Sequence, residues 1–287
     1  MSARSYLYVP GDRPDLFVGA FERGADALIL DLEDSILHAN KDQARSLVAE
    51  WIAGLGDEQQ GTEVWVRVNS TPEQRALDLD ALDGTEAITG VSIPKVDGVG
   101  ALRQIEGEFG ATWSVIALIE SAAGLLAAPQ IAKMPRVSRL ALGEADLMAD
   151  LGVMRTSPST LAAVRMKVVV ASAAAAIDPP IAPVSTDFRD IDSLRRSTSD
   201  LRDMGFGARS AIHPDQIPVI NDVFTPSPSA VAEATRIVEA ADSAAASGMG
   251  VFVDVDGRMV DEAIVRRARR QLEDGDRRSG ADGRRFR

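Results

Sequence analysis

Hydrophobic positions along the chain fall into short, almost continuous apolar runs separated by longer stretches with a helical spacing. Runs such as residues 27–32 and 115–119 have the length and branched side chains of buried parallel strands. Each run is followed by a helix-forming segment, and eight such pairs follow one another before residue 224. This alternation predicts an α/β protein with a TIM-type (β/α)8 barrel.

The predicted strands have short, definite limits. They cover residues 5–9, 27–32, 63–69, 90–95, 115–119, 137–142, 181–184 and 209–212. An open doubly wound sheet is the alternative architecture. No glycine-rich dinucleotide fingerprint follows any of the strands, which favours the barrel.

The pattern changes after residue 224. The segment TPSPS has the composition of a linker, and residues 225–273 predict a helix–strand–helix extension that acts as a lid or as an arm onto a neighbouring subunit. The remaining residues, 274–287, are rich in arginine and glycine and are expected to be a disordered tail. The barrel itself is assigned to residues 1–224.

Charge and composition narrow the class of protein. The chain of 287 residues carries a net charge of −12 and has no cysteine. From Arg266 onward there are nine arginines and four acidic residues. The residues before Arg266, the body of the chain, therefore carry a more negative net charge than the whole chain does. An acidic body argues against nucleic acid as a partner, and no apolar run approaches the roughly 18 residues of a membrane span. The lack of cysteine suits a reducing cytoplasm, which is the expected location.

Three carboxylates stand just beyond two neighbouring apolar runs. Glu120 ends the first run, and Glu144 and Asp146 follow the second. The carboxyl ends of parallel strands are where ligands bind in α/β proteins. With no cysteine available, these side chains form a site of oxygen ligands, which favours a hard cation such as Mg²⁺. The alternative for each residue is to cap the following helix.

Further charged residues end the earlier strands. Arg67 lies at the end of the third strand and could form a bidentate contact with the carboxylate of a substrate. A buried ion pair with Asp31 or Glu33 is the alternative. Glu33 and Asp34 are expected to support Arg67 or Lys95, the residue that ends the fourth strand. The cluster of Asp31, Glu33 and Asp34 offers an alternative metal site.

Ordered motifs across the chain resemble one known family. They are RSYLYVPGDRP, GADALILDLEDSI, ANKDQAR, VWVRVN, IPKV, ALIESAAG, LALGEADLMADLG, SAIHPDQI and GRMVDEA. Together they resemble the citrate lyase beta-subunit-like branch of the HpcH/HpaI aldolase superfamily, which includes malyl-CoA and citramalyl-CoA lyases. The resemblance spans roughly residues 4–269. It implies a TIM-type barrel, assembly as trimers or paired trimers, bound Mg²⁺, and the making or breaking of a C–C bond in a CoA thioester.

The resemblance also implies roles for individual residues. It gives the metal to Glu120 and Asp146 and the small acid to Arg67. Glu144, two residues before Asp146, is the rival metal ligand and is expected to support the site instead. Asp261 is implied as the catalytic acid or base, contributed across a subunit boundary, although from the residues alone it reads as a helix cap. Tyr8 is implied to contact CoA.

Basic residues near the first two loops are the candidates for CoA. They are Arg4, Arg13, Lys41 and Arg45. The carrier of the thioester is either CoA or a phosphopantetheine arm on an acyl carrier protein. We therefore expect a Mg²⁺-dependent CoA-ester lyase acting on an acyl-CoA and a small keto acid or glyoxylate. Alternatives are a citryl-carrier lyase subunit, a malate-synthase-like or thioesterase activity, and a non-catalytic scaffold barrel; His213 is expected to be structural.

Overall fold

Eight parallel strands form a closed barrel in the computed structural model, which describes residues 3–56, 61–108, 113–154, 157–246, 252–253, 257 and 259–285. The strands are β1 (Ser5–Pro10), β2 (Ala27–Asp31), β3 (Glu63–Arg67), β4 (Gly90–Ile93), β5 (Ser114–Ile119), β6 (Val137–Leu142), β7 (Ile181–Ala182) and β8 (Ala208–Ala211). Each strand pairs with the next, and β8 closes the barrel by pairing with β1. The predicted (β/α)8 fold is confirmed.

Helices connect the strands and surround them. They are α1 (Pro14–Glu22), α2 (Lys41–Ala53), α3 (Pro72–Leu82), α4 (Val99–Glu108), α5 (Ala122–Ile131), α6 (Glu144–Asp150), α7 (Pro158–Ala175), α8 (Ile191–Met204) and α9 (Ile217–Phe224). Short 3-10 turns lie at His38–Asn40 and Pro214–Gln216. None of the helices in the described ranges combines the length and apolar character needed to cross a membrane.

Side chains on the strands alternate between the inside of the barrel and the surrounding helices. Both faces are buried, which explains why the strands read as continuous apolar runs. The inner cluster contains Ala3, Tyr6, Ala27, Ile29, Trp65, Ile116, Leu118, Ala141, Ile181 and Ala208. Gly90 makes room for the large Trp65, because a Cβ there would lie 2.7 Å from the indole ring and 2.0 Å from the Ser114 carbonyl oxygen.

The inside of the barrel becomes charged at the carboxyl ends of the strands. Asp31 follows Ala27 and Ile29 on the inward face of β2, and it is the last residue of that strand. Arg67 ends β3 directly beside it in register. Glu120 comes immediately after β5. Simple alternation along each strand therefore delivers these three side chains to one end of the barrel.

Several predicted boundaries differ from the observed ones. β3 ends at Arg67 rather than at residue 69, and β4 ends at Ile93, since Pro94 has no N–H to donate to the ladder. The seventh strand has only two residues, and Pro183 follows it in the same way. Helix α7 begins at Pro158, and Ser157 caps it by accepting the backbone N–H of Thr160.

The chain divides into two compact units, Ser2–Phe224 and Thr225–Arg287. The second unit contains α10 (Pro228–Ala246), the short strands β9 (Phe252–Val253) and β10 (Met259–Val260), and α11 (Glu262–Arg285). Strands β9 and β10 pair antiparallel, so a hairpin stands where one strand was expected. Helix α11 continues to Arg285, whereas a disordered tail was expected from residue 274; extending an existing helix costs much less than nucleating one.

Candidate metal and substrate site

A cavity of about 550 Å³ opens at the carboxyl ends of the barrel strands. Of the residues singled out from the sequence, it is lined by Tyr8, Arg67, Glu120, Glu144 and Asp146. Asp31 and the hydroxyl residues Ser35, Thr186 and Ser210 complete its polar surface, and Leu118, Leu142, Met148, Pro183, Val184 and Ile212 form most of its apolar surface. The cavity thus combines ionic groups with an extended apolar wall, as sites for small organic molecules do.

Arg67 is fixed in the cavity wall by Asp31. Its Nε and Nη2 atoms each donate to one oxygen of the Asp31 carboxylate, both at 2.7 Å. Asp31 also accepts hydrogen bonds from the backbone N–H groups of Glu33 and Ser35, at 2.9 and 3.1 Å. Burial alone raises the pKa of Asp31, but the hydrogen bonds and charge of Arg67 outweigh it and hold that pKa below its usual value. The pair therefore stays ionised and holds the guanidinium in one orientation.

The remaining end of Arg67 faces the segment that follows β2. Its Nη1 atom lies 3.1 Å from Glu33 Oε2 and 3.7 Å from Asp34 Oδ2. Glu33 Oε2 is buried without a hydrogen bond of good geometry, so its contact with Nη1 is electrostatic. Lys95 Nζ lies 3.2 Å from the other Glu33 oxygen. Glu33 therefore connects the two cations, and Asp31, not Glu33, is the principal partner of Arg67.

Glu120 is held from two sides at the end of β5. Its side chain is 5 % exposed, and its Oε2 accepts the backbone N–H of Lys95 at 3.0 Å. Lys95 adopts a left-handed conformation, with φ of 52°, to present that N–H. Gly143 faces the carboxyl group so closely that a Cβ there would lie 2.4 Å from Oε1. Burial raises the pKa of Glu120 to about 7, with the N–H of Lys95 opposing the rise and the charge of Glu33 adding to it.

The two carboxylates that begin α6 have different partners. Glu144 is engaged by Arg165, whose Nε and Nη2 donate to its two oxygens at 2.7 and 3.0 Å. Asp146 is exposed and has no hydrogen-bond or ion-pair partner among the described residues. The cavity thus contains one buried and one unengaged carboxylate, Glu120 and Asp146, which are close enough to influence each other's charge.

This pair fits the ligand set of a magnesium ion. Mg²⁺ in proteins is usually bound by one or two carboxylates and completes its shell with water and substrate oxygens. The described residues contain no cluster of three or more acidic or histidine side chains that would enclose a metal completely. Glu120 and Asp146 therefore suit an open site, and Glu33 and Asp34 do not, since they face Arg67 and Lys95.

The basic residues predicted to contact CoA do not line this cavity. Arg13 forms an exposed ion pair with Asp15 at 2.6 Å. Lys41 Nζ donates to the backbone carbonyl oxygens of Leu32 and Glu33, at 2.7 and 2.6 Å.

Two of these basic side chains are committed to buried ion pairs. Arg45 is buried and donates to Asp78, Asp42 and Gln74, while Arg4 pairs with Asp26 at 2.6 Å. The CoA contact predicted for Arg4, Lys41 and Arg45 stays a prediction, and it would compete with these contacts. Only Arg13 has its guanidinium on the surface, where a ligand phosphate can reach it.

Asp261 lies in the second unit, at the start of α11. Its Oδ1 accepts the backbone N–H of Ile264 at 3.0 Å, which is the helix cap that its sequence context suggested. Its catalytic role stays a prediction. His213 also has structural contacts, since its ring stacks on Phe188 with centroids 4.7 Å apart and its Nδ1 accepts the N–H of Asp215 at 3.2 Å.

Sequence reasoning missed the apolar wall and the hydroxyl residues of the cavity. Ser210 stands two residues after the inward-facing Ala208 on β8, so strand alternation was a usable signal for it. Val184 and Thr186 lie on the irregular segment after β7, where no periodicity exists to show which side chains turn inward.

Comparisons with known proteins agree with this architecture. A family model described as HpcH/HpaI aldolase/citrate lyase matches residues 4–214. The chain is 34 % identical over 270 residues to a (3S)-malyl-CoA thioesterase of Cereibacter sphaeroides (strain ATCC 17029 / ATH 2.4.9), covering 94 % of this chain and 93 % of the relative. It is 30 % identical over 282 residues to citrate lyase subunit beta of Leuconostoc mesenteroides subsp. cremoris, with 94 % and 92 % covered.

A similar solved structure is protein CitE from Mycobacterium tuberculosis, in complex with magnesium, acetoacetate and coenzyme A. It matches with a TM-score of 0.80 and 30 % identity, covering 96 % of this chain and 98 % of that one. The similarity therefore extends over both units of the chain, beyond the residues that the family model matches.

Proposed function

The chain belongs to the HpcH/HpaI aldolase/citrate lyase family, and on that basis we propose that it is a Mg²⁺-dependent lyase of malyl-CoA or citramalyl-CoA type. The observation that carries the proposal is that Arg67, fixed by Asp31, lines the same cavity as the buried carboxylate of Glu120 and the unengaged carboxylate of Asp146. A keto acid needs a cation for its carboxylate and a metal site for its carbonyl oxygen, and these residues offer both in one cavity. The complex of the Mycobacterium tuberculosis relative with magnesium, acetoacetate and coenzyme A supports this choice.

Glu120 and Asp146 are the residues proposed to hold the metal. When bound there, Mg²⁺ supplies Lewis-acid polarisation of a carbonyl oxygen. Glu144 is left to orient the start of α6 through Arg165. The Lys95 N–H keeps Glu120 pointed into the cavity, and Glu33 and Asp34 balance the charges of Arg67 and Lys95.

Arg67 binds and orients the small acid. With Nε and Nη2 engaged by Asp31 and Nη1 facing Glu33 and Asp34, the guanidinium has the second Nη2 hydrogen left to donate to a carboxylate of the substrate. In cleavage, the bond between the hydroxyl-bearing carbon and the α-carbon of the thioester breaks, and its electron pair passes to the α-carbon as an enolate. The hydroxyl proton goes to a base and the α-carbon takes up a proton, giving acyl-CoA and a keto acid or glyoxylate.

Asp261 is the proposed acid or base for these proton transfers. The family resemblance supports it, as does its place on a unit separate from the barrel, which suits delivery across a subunit boundary. A homotrimer or a dimer of trimers is accordingly the proposed assembly. The cytoplasmic location stays a prediction.

Coenzyme A is the proposed carrier of the acyl group, with Arg13 as the remaining basic contact near the cavity loops. The apolar wall formed by Met148, Val184 and Ile212 is suited to the acyl and pantetheine part of the substrate. One methyl group distinguishes citramalyl-CoA from malyl-CoA, and such a group is worth only about 1–3 kcal/mol of discrimination. Malyl-CoA and citramalyl-CoA are therefore both proposed.

Hydrolysis of the thioester is the second candidate function. It is favoured by the relative named (3S)-malyl-CoA thioesterase, which is similar along almost the whole chain. The citrate lyase beta relative keeps a citryl-carrier lyase subunit as a further alternative. A scaffold barrel without turnover is not favoured, because it has no need for an Arg67 held in place or for the carboxylates of Glu120 and Asp146 in the same cavity.

The test is to supply the full-length protein with malyl-CoA or citramalyl-CoA, in the presence of Mg²⁺ and in the presence of EDTA. A lyase releases glyoxylate with acetyl-CoA, or pyruvate with acetyl-CoA, only with Mg²⁺. A thioesterase instead releases free CoA together with intact malate or citramalate. The lyase proposal would be refuted if neither pyruvate nor glyoxylate were released under any of these conditions.

A further inference from the structure

Two tyrosines on β1 face the inside of the barrel but differ in their contacts. The hydroxyl of Tyr6 lies 3.1 Å from Arg139 Nη1, which donates to it, and it donates to Glu63 Oε2 at 3.4 Å. The hydroxyl of Tyr8, one inward position higher, has no hydrogen-bond partner among the described residues, and the side chain lines the cavity. Tyr8 is half-buried, and its hydroxyl is not one of the buried polar atoms that lack a partner, so this hydroxyl is open to the cavity, where a ligand can reach it.

We propose that the Tyr8 hydroxyl donates a hydrogen bond to the carboxylate of the small acid that Arg67 binds. The proposal rests on the proposed function, because it takes for granted that such an acid enters the cavity. It replaces the expectation that Tyr8 contacts CoA. Tyr8 is then a residue that binds the small acid, beside Arg67.

The position of the ring beneath Arg67 is the first support. The guanidinium carbon of Arg67 lies 4.9 Å from the centre of the Tyr8 ring. Tyr8 pairs in register with Ile29, and Arg67 pairs with Asp31, so Tyr8 stands one inward-facing position below the guanidinium. An acid bound by the second Nη2 hydrogen of Arg67 therefore rests close to the Tyr8 side chain, near the cavity floor formed by Leu118 and Ala141.

The electrostatic surroundings make Tyr8 a donor. Burial raises the pKa of Tyr8 above its usual value, Arg67 opposes the rise, and the carboxylates of Asp31, Glu120 and Glu33 add to it. The phenol thus keeps its proton at neutral pH and has an O–H to offer. A phenol and a guanidinium side by side are both donors, and an anionic oxygen is the acceptor they can share.

The chemistry of the other lining groups narrows the acceptor to a carboxylate. Arg67 is the only lysine, arginine or histidine among the described residues that line the cavity, and the other ionic groups there are carboxylates. Among the protein's own side chains there, a negatively charged ligand group therefore has one favourable place, at Arg67. The thioester carbonyl is neutral and has no reason to compete for that place.

The test uses Tyr8→Phe, which removes the hydroxyl and keeps the ring under Arg67, with Tyr6→Phe as the matched control. Pyruvate and glyoxylate are titrated by calorimetry into the full-length wild type and both variants at saturating Mg²⁺, and Mg²⁺ alone is titrated into each. Thermal unfolding of each protein is measured in the same buffer.

The two variants are expected to give opposite results. Tyr8→Phe weakens binding of the acid about tenfold or more, the usual effect of losing a hydrogen bond to a charged group, and leaves Mg²⁺ affinity and the melting temperature unchanged. Tyr6→Phe lowers the melting temperature, because it removes the partner of Arg139 and Glu63, and leaves acid binding unchanged.

Equal acid affinity in Tyr8→Phe and wild type would overturn the inference, since the hydroxyl would then face only water. A parallel loss of Mg²⁺ affinity in Tyr8→Phe would also overturn it, because the effect would arise at the metal ligands. Failure of the wild type to bind either acid with Mg²⁺ would instead refute the proposed function itself, so the two failures are distinguishable.

Discussion

The contacts of charged side chains at this site are made with partners that are distant in the sequence. Asp31 and Glu33 are two positions apart and both carry a carboxylate, yet one holds Arg67 with two short hydrogen bonds and the other bridges Arg67 and Lys95. The difference comes from the strand, because Asp31 is its last inward-facing residue and Glu33 lies beyond its end. Strand alternation therefore predicts which acid holds the arginine, once the end of the strand is known.

Glu120 gives a prediction about pH. In metal-free protein its raised pKa of about 7 means that the fold favours the neutral carboxyl group. Stability from this group is fully present below the pKa of an unfolded glutamate and is lost as the pH rises through about 7. Without Mg²⁺, Glu120→Gln is therefore expected to melt at the same temperature as wild type near pH 5, and roughly 2 °C or more higher at pH 8.5.

The measurement is a series of thermal unfolding curves for both proteins in EDTA between pH 5 and 8.5. Groups other than Glu120 titrate in both proteins, so their effects cancel in the difference. Adding Mg²⁺ at pH 8.5 should raise the melting temperature of the wild type and not that of the variant. A difference that does not change with pH would show that Glu120 ionises as an ordinary surface carboxylate.

At the scale of elements, the strand–helix order follows from the sequence and the contacts of charged side chains do not. Eight apolar runs are enough to predict the barrel, since parallel strands buried on both faces leave a strong signal. Arg45 illustrates the limit. It reads as an exposed basic residue on α2, but its Nε donates to Asp78, 33 residues away on α3. Only the packing of the two helices reveals that partner.

Short elements are the other limit. Strand β7 has two residues, and the cavity residues that follow it lie on irregular backbone. The hairpin of β9 and β10 likewise has two residues in each strand. Neither has a length over which a period of two can be recognised.

The junction between β6 and α6 gives a prediction at this scale. Gly143 lets the start of α6 approach Glu120, and a Cβ would lie 2.3 Å from Glu120 Cγ. Gly143→Ala is therefore expected to cost about 1–3 kcal/mol in the free energy of unfolding and to weaken Mg²⁺ binding by displacing the carboxyl group. Chemical denaturation and metal titration measure the two effects.

Gly19→Ala is the matched control, because Gly19 lies within α1 and a Cβ there meets no atom within 4 Å. That substitution is expected to leave Mg²⁺ binding unchanged and to stabilise the protein by roughly 0.5–1 kcal/mol, the usual gain of alanine over glycine inside a helix. If Gly143→Ala behaves like the control, the close approach of α6 does not position Glu120.

For the whole molecule, the proposed activity depends on groups that separate strands bring to one end of the barrel. Glu120 follows β5, Asp146 begins α6 after β6, and Arg67 ends β3, and all three line one cavity. Their convergence could be predicted from the rule that ligands bind at the carboxyl ends of barrel strands. The proposed role of Asp261 follows only from the family resemblance, because its unit follows the completed barrel and the local sequence shows only a helix cap.

The most direct test of the metal site compares Mg²⁺ binding to wild type, Asp146→Asn and Glu144→Gln by calorimetry on the full-length protein. Glu144 is the matched control, because it stands two residues away and is already engaged by Arg165. Asp146→Asn is expected to lower Mg²⁺ affinity by about tenfold or more and Glu144→Gln to leave it close to the wild-type value. Unchanged affinity in Asp146→Asn, or a larger loss in Glu144→Gln, would contradict the account.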